Sequence, residues 1–159
     1  SADKFIFTMG LTEAWTLESS GMSCCLEPLT RRDPKINVKD IIHDAKFTPI
    51  GYSRCLKSID NIAKTIKKHR GDKDIIMTVS PVPINKTYRK NIDVSVANCE
   101  SKSIIKVAVA EAQRRNKNIF YFPSYEIVSF MGKDAFKPDR RHVRPEVVKR
   151  IMDDFLRII

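Results

Sequence analysis

The chain has 159 residues, enough for one domain whose core takes roughly 70% of the chain's surface out of water. With 42% hydrophobic and 30% charged residues, 5 glycines, 8 prolines and no apolar run near the ~20 residues of a membrane helix, it is not fibrous, low-complexity or membrane-spanning. Lys and Arg number 29 against 19 Asp and Glu, a formal charge of +10 that points toward anionic partners without choosing among nucleic acid, acidic glycan and membrane surface.

Lys4-Phe5-Ile6-Phe7-Thr8-Met9 is an apolar, aromatic run closed by Gly10, and it predicts a buried strand. From about Thr16 to Gly51 the breakers Gly21, Pro28, Pro34 and Pro49 interrupt any period. This stretch predicts an irregular excursion with one helical turn near Val38 to Ala45. Cys55, Leu56, Ile59, Ile62, Ala63 and Ile66 then recur at helical spacing, which predicts an amphipathic helix over Tyr52 to His69, ended by Gly71-Asp72. Asp74 to Ser80 reads as a second buried strand stopped by Pro81 and Pro83. A helix over Ser101 to Arg115 has Ile104, Ile105, Ala108, Val109 and Ala112 on its inner face. Asn118 to Phe122 is a third strand, ended by Pro123. After an irregular stretch through Pro138, Pro145 opens a last helix that buries Val147, Val148, Ile151, Met152 and Phe155.

Alternation of this kind predicts an α/β fold, a parallel sheet with helices on both faces. Three strands are few for such a sheet, and the chain opens on a buried-type strand. Residues 1–159 are therefore read as one domain that lacks its N-terminal strands and has an open apolar sheet edge.

In open α/β sheets the reactive crevice lies at the carboxyl ends of the strands. Gly10-Leu11-Thr12-Glu13, Ser80-Pro81-Val82-Pro83 and Pro123-Ser124-Tyr125-Glu126 fall there, joined by the loop Pro138-Asp139-Arg140-Arg141-His142. Asp139 and His142 stand three apart, a spacing at which a short turn sets the carboxylate on Nδ1 and leaves Nε2 as a general base. Asp40 and His43 share that spacing but sit in the irregular excursion, so position favours the later pair. No Gly-x-Ser-x-Gly elbow is present, and Ser80 and Ser124 adjoin prolines of rigid turns. The residues thus offer a base and its orienter without a nucleophile.

Trp15, Tyr125 and Phe130 are candidates for a sugar-stacking wall, against the commoner core role of aromatics. Glu13 and Glu126 are a candidate carboxylate pair, against a structural role. Cys24, Cys25, Cys55 and Cys99 form no Cys-x-x-Cys pair and read as reduced thiols; with no leader pattern at the start, the expected location is cytoplasmic. No phosphate-cradling glycine loop and no metal-spaced cluster occurs, so no cofactor and no metal is expected.

Read in order, the motifs resemble the GSCFA family, a branch of the SGNH (GDSL-like) hydrolase superfamily. The blocks are Phe5-Ile6-Phe7-Thr8-Met9-Gly10-Leu11-Thr12-Glu13-Ala14-Trp15, Thr78-Val79-Ser80-Pro81-Val82-Pro83, Asn98 with Ser101-Lys102-Ser103, Tyr121 through Val128, and Asp139-Arg140-Arg141-His142-Val143-Arg144-Pro145-Glu146. The resemblance implies a flavodoxin-like α/β/α fold and removal or transfer of acyl groups, often on carbohydrate. It places the acid and base of a triad on Asp139 and His142, and oxyanion donors on Gly10 and Thr12, where Thr stands for the usual Asn. The segment that names the family, with its presumed nucleophilic Ser, does not occur here. The chain is accordingly read as the C-terminal two-thirds of such a domain, with the first strand and the Ser expected from an upstream segment or a partner chain.

Two functions follow. One is an SGNH-type acyl-ester hydrolase or acyltransferase acting on a carbohydrate. The other is a non-catalytic α/β module that binds an anionic glycan or a partner domain. Nucleic acid is not the expected partner, because the charge is unaccompanied by a helix-turn-helix, zinc or RNP-like motif.

Overall fold

The computed structural model describes residues 2–24 and 43–158. In chain order its elements are β1 (Lys4–Met9), β2 (Glu13–Leu17), β3 (Ser23–Cys24), β4 (Ala45–Pro49), α1 (Tyr52–Arg70), β5 (Asp74–Val79), α2 (Val94–Arg115), β6 (Ile119–Phe122), α3 (Ser124–Met131), a 3₁₀ turn (Gly132–Ala135) and α4 (Pro145–Ile158).

β1, β5 and β6 form a parallel sheet with β5 central, in register Phe5 with Ile75 and Ile75 with Ile119. Every residue from Ile75 to Val79 is buried, as a strand covered on both faces requires. Because side chains alternate, Ile75, Met77 and Val79 meet Leu56, Ile59, Ala63, Ile105, Ala108 and Val109 of α1 and α2. Ile76 turns the other way and joins Phe122, Val128, Val147, Ile151 and Phe155 beneath α3 and α4. Helices therefore lie on both faces of a parallel sheet, and the fold is α/β. Each fully buried aliphatic side chain contributes about 1.5–3 kcal/mol through area removed from water.

β1 is an edge strand, paired only with β5 among the described residues, and Ile6 on it is 53% exposed. α1 has basic Lys67, Lys68, His69 and Arg70 in its last turn, matching the negative end of the helix dipole. Gly71 closes it at φ 77°, a left-handed conformation that glycine adopts without strain, and its N–H donates to the Lys67 carbonyl. No described helix is long and apolar enough to cross a membrane.

The stretch expected to be irregular carries most of a second sheet. β2 is central there, antiparallel to β3 and β4, with Trp15 opposite Phe47. These strands are short and of mixed polarity, so no period announces them. What selects them is tertiary: Trp15 meets Phe47 at 5.4 Å and Tyr88 at 5.0 Å between ring centroids. Of the expected helical turn, residues 38–42 lie outside the described residues and Ala45 opens β4. α3 replaces part of the expected loop before Pro138, starting directly after Pro123.

α2 begins at Val94, two turns earlier than its apolar stripe suggested, because Asp93 caps it by accepting the Ser95 N–H at 2.8 Å. Replacing Asp93 with Ala is expected to cost about 1 kcal/mol in chemical unfolding. A loss near zero would mean that the helix starts without that cap.

Candidate active site

The loop after the 3₁₀ turn folds as a hairpin. Phe136 and Val143 form an antiparallel bridge, the Lys137 N–H donates to the His142 carbonyl at 2.8 Å, and the Arg144 N–H donates to the Ala135 carbonyl at 2.9 Å. Its tip holds Arg140 at φ 54°, an uncommon left-handed conformation for a residue with a side chain. That turn brings Asp139 onto His142. Asp139 Oδ1 accepts the backbone N–H groups of Arg141 and His142, both at 2.9 Å, while Oδ2 stands 2.7 Å from His142 Nδ1. The bond to the His142 ring, with the two backbone N–H groups, holds the Asp139 carboxyl well below the usual carboxylate range. His142 Nε2 has no hydrogen-bond partner among the described residues. The pair is open to solvent, with Asp139 48% and His142 60% exposed.

A cleft of about 210 Å³ opens at the carboxyl ends of β1 and β5. Gly10, Ser80, Trp15, Tyr88 and Arg141 of the hairpin are among the residues that line it. The loops around it are tied to a single face of α2. Asn98, Ser101 and Lys102, at i, i+3 and i+4, point to that side. Asn98 Oδ1 accepts the Ile84 N–H at 3.1 Å. Ser101 Oγ meets Thr12 Oγ1 at 2.8 Å and accepts the Thr12 N–H at 3.3 Å. Lys102, only 2% exposed, donates to the carbonyls of Gly10 at 2.7 Å and Val82 at 2.9 Å. Burial pulls its ammonium down to about 8.

The model of the GSCFA family matches residues 1–155 of this chain. The chain belongs to the GSCFA family. No curated protein and no solved structure matches it.

Of the candidate residues in this GSCFA chain, Asp139 and His142 are brought together and Gly10 lines the cleft. Thr12 is buried; Ser101 engages its N–H and its hydroxyl, and its carbonyl accepts the Ile50 N–H. Gly10 and Arg141 share the cleft, which sets the hairpin against the β1 loop. Ser124 is buried, bonded to Thr78 Oγ1 and the Val79 carbonyl, in a structural place. Glu13 and Glu126 do not pair: Glu13 accepts from Thr87 and Tyr88, and Glu126 meets the Tyr121 hydroxyl and Lys106. Trp15 lines the cleft, Tyr125 packs on the core under α1 and α2, and Phe130 is 93% exposed. Asp40 of the second Asp/His pair lies outside the described residues. Cys55 is buried, which pushes its thiol up, and Cys99 is exposed.

Asn98, Ser101, Lys102 and Arg141 stand in the blocks that resemble the family without a role of their own there, and Tyr88 stands outside them. A signal for three of them was present. Polar residues at 98, 101 and 102 interrupt a helix face that is otherwise apolar and buried at Ala97, Ile105 and Ala108.

Proposed function

We propose that this GSCFA chain carries the acid–base half of an SGNH-type acyl-ester hydrolase or acyltransferase acting on carbohydrate. One domain over residues 1–159 supplies the base and its orienter, and the attacking Ser is contributed to the cleft from outside it. The observation that supports this most is the 2.7 Å contact between Asp139 Oδ2 and His142 Nδ1, on a hairpin beside the cleft. The Ser hydroxyl passes its proton to His142 Nε2 as Oγ attacks the ester carbonyl. Asp139 holds the Nδ1–H and steadies the imidazolium. The oxyanion is faced by Gly10 and by Thr12 once it exchanges Ser101 as partner. Collapse breaks the bond to the sugar oxygen, which takes the proton back from Nε2. Water, or an acceptor hydroxyl, repeats the sequence and frees the acid or a new ester. The free thiols of Cys55 and Cys99 suit a reducing, cytoplasmic setting.

The test is acetate release from O-acetylated xylan and from acetylated monosaccharides by the native polypeptide. Release above the uncatalysed rate is expected. None from any of these esters overturns the hydrolase reading. A second reading, a module that binds an anionic glycan or a partner domain without turnover, is favoured by the engagement of Thr12 with Ser101.

A further inference from the structure

The cleft beside the hairpin has an uneven balance of charge. Its lining includes the cations Lys86 and Arg141 and a single acid, Glu13. Glu13 is spent on the protein itself, since its two oxygens accept from Thr87 Oγ1 at 2.5 Å and from the Tyr88 N–H at 3.2 Å. Arg141 is in the opposite condition: its Nε is buried and has no hydrogen-bond partner among the described residues. Buried, that N–H is closed to a ligand, but no ion pair among the described residues uses the guanidinium, and its charge at the cleft is left uncompensated.

The same cleft is lined by two aromatic rings. Trp15 stands edge-on to Tyr88 at 81° and 5.0 Å, and Lys86 Nζ lies 5.4 Å from the Tyr88 ring centroid. Rings of this kind offer flat apolar area with few rotatable bonds, which suits the C–H face of a sugar. About 210 Å³ is space for one hexose-sized ring. A planar guanidinium matches a planar carboxylate oxygen for oxygen, which an ammonium cannot do.

We propose that this cleft takes a carboxylate-bearing sugar, a uronic acid, with the Arg141 guanidinium on its carboxylate and Trp15 and Tyr88 against its ring. This rests on the cleft being the substrate site of the function proposed above, and it narrows the carbohydrate to an acidic one.

Trp15 is the chain's one tryptophan, so its emission reports directly on the cleft. Tetragalacturonate and neutral cellotetraose are titrated into the full chain while that emission is followed. A saturable change is expected with tetragalacturonate, and binding at least about 10-fold weaker with cellotetraose. Arg141→Gln is expected to weaken tetragalacturonate binding by about 10-fold or more. Lys64→Gln removes the same charge from the exposed face of α1, at the opposite end of the sheet, and is expected to change nothing. Arg141→Lys keeps the charge without the fork and is expected to lose several-fold; it also serves as the test should Arg141→Gln not fold. Absent binding, equal binding of the neutral sugar, equal loss in Lys64→Gln, or full binding in Arg141→Lys each overturn the proposal. Acetate release without tetragalacturonate binding sinks this inference alone. Arg141-dependent binding without acetate release sinks the hydrolase reading and leaves this one standing.

Discussion

Replacing His142 with alanine is expected to lower ester turnover by about 10²–10⁴-fold, the usual worth of a positioned general base. The loss should fall on kcat with KM little changed, since the imidazole acts on the reacting proton and not on the bound sugar. Asp139→Asn should cost about 10⁴-fold, because the amide still accepts the Arg141 and His142 N–H groups but no longer favours a proton on Nδ1. The fold should survive both changes. The hairpin is closed by the Phe136–Val143 bridge and by main-chain bonds from Lys137 and Arg144, none of which uses the two side chains. Steady-state kinetics on the native polypeptide, with near-ultraviolet circular dichroism as the check on folding, decides the matter. A His142→Ala protein that turns over ester at the original rate would remove the triad from consideration.

Lys102→Met is expected to change how stability depends on alkali. The ammonium of Lys102 titrates at about 8 in the folded protein, lowered by burial from its ordinary 10.5. Between those two values the unfolded chain binds more protons than the folded one, so stability rises with pH through that window. The contribution of Lys102 is fully favourable only above the unfolded value and is lost as pH falls to the folded one. From pH 7 to pH 10 this single group should add about 2 kcal/mol to the original protein and nothing to Lys102→Met. Other groups titrating in the same range appear in both proteins and cancel. Urea unfolding at the two pH values should therefore show the gap between them widening with pH. Parallel curves would mean that the amine titrates in the folded protein as it does in the unfolded chain, as a well-hydrated ammonium does. The substitution also strips the Gly10 and Val82 carbonyls of their donor, so at either pH the cleft loops lose a pin.

What was legible in the sequence was whatever a single element declares by itself. Asp74 to Val79 is apolar enough to be buried on both faces, and the 55, 56, 59, 63, 66 stripe of α1 needs no partner to be seen. The Asp139–His142 contact was legible for the same reason, being a matter of three residues and one turn. What depends on distant partners was not. β2 and β4 are made strands by a ring cluster drawn from positions 15, 47 and 88. α2 starts among Val94, Ser95 and Val96, whose alternation hides a helix until the Asp93 cap is seen. Thr12 could be placed at the crevice from its position after β1, but not its commitment to a hydroxyl 89 residues away. Arg141 sits between two exposed neighbours of a basic run, and only the buried Nε distinguishes it from a solvated charge.

The parallel strands end, and the small antiparallel sheet begins, across Gly10, Leu11 and Thr12 alone. That joint is held from behind by Ser101 and Lys102 of one helix. On the function proposed above, the acid–base pair and Arg141 share the hairpin, while the Trp15 ring stands on the small sheet, across a short, pinned seam. A lineage can rewrite the rings of the small sheet, and with them the sugar preferred, while the hairpin and the strand ends stay as they are.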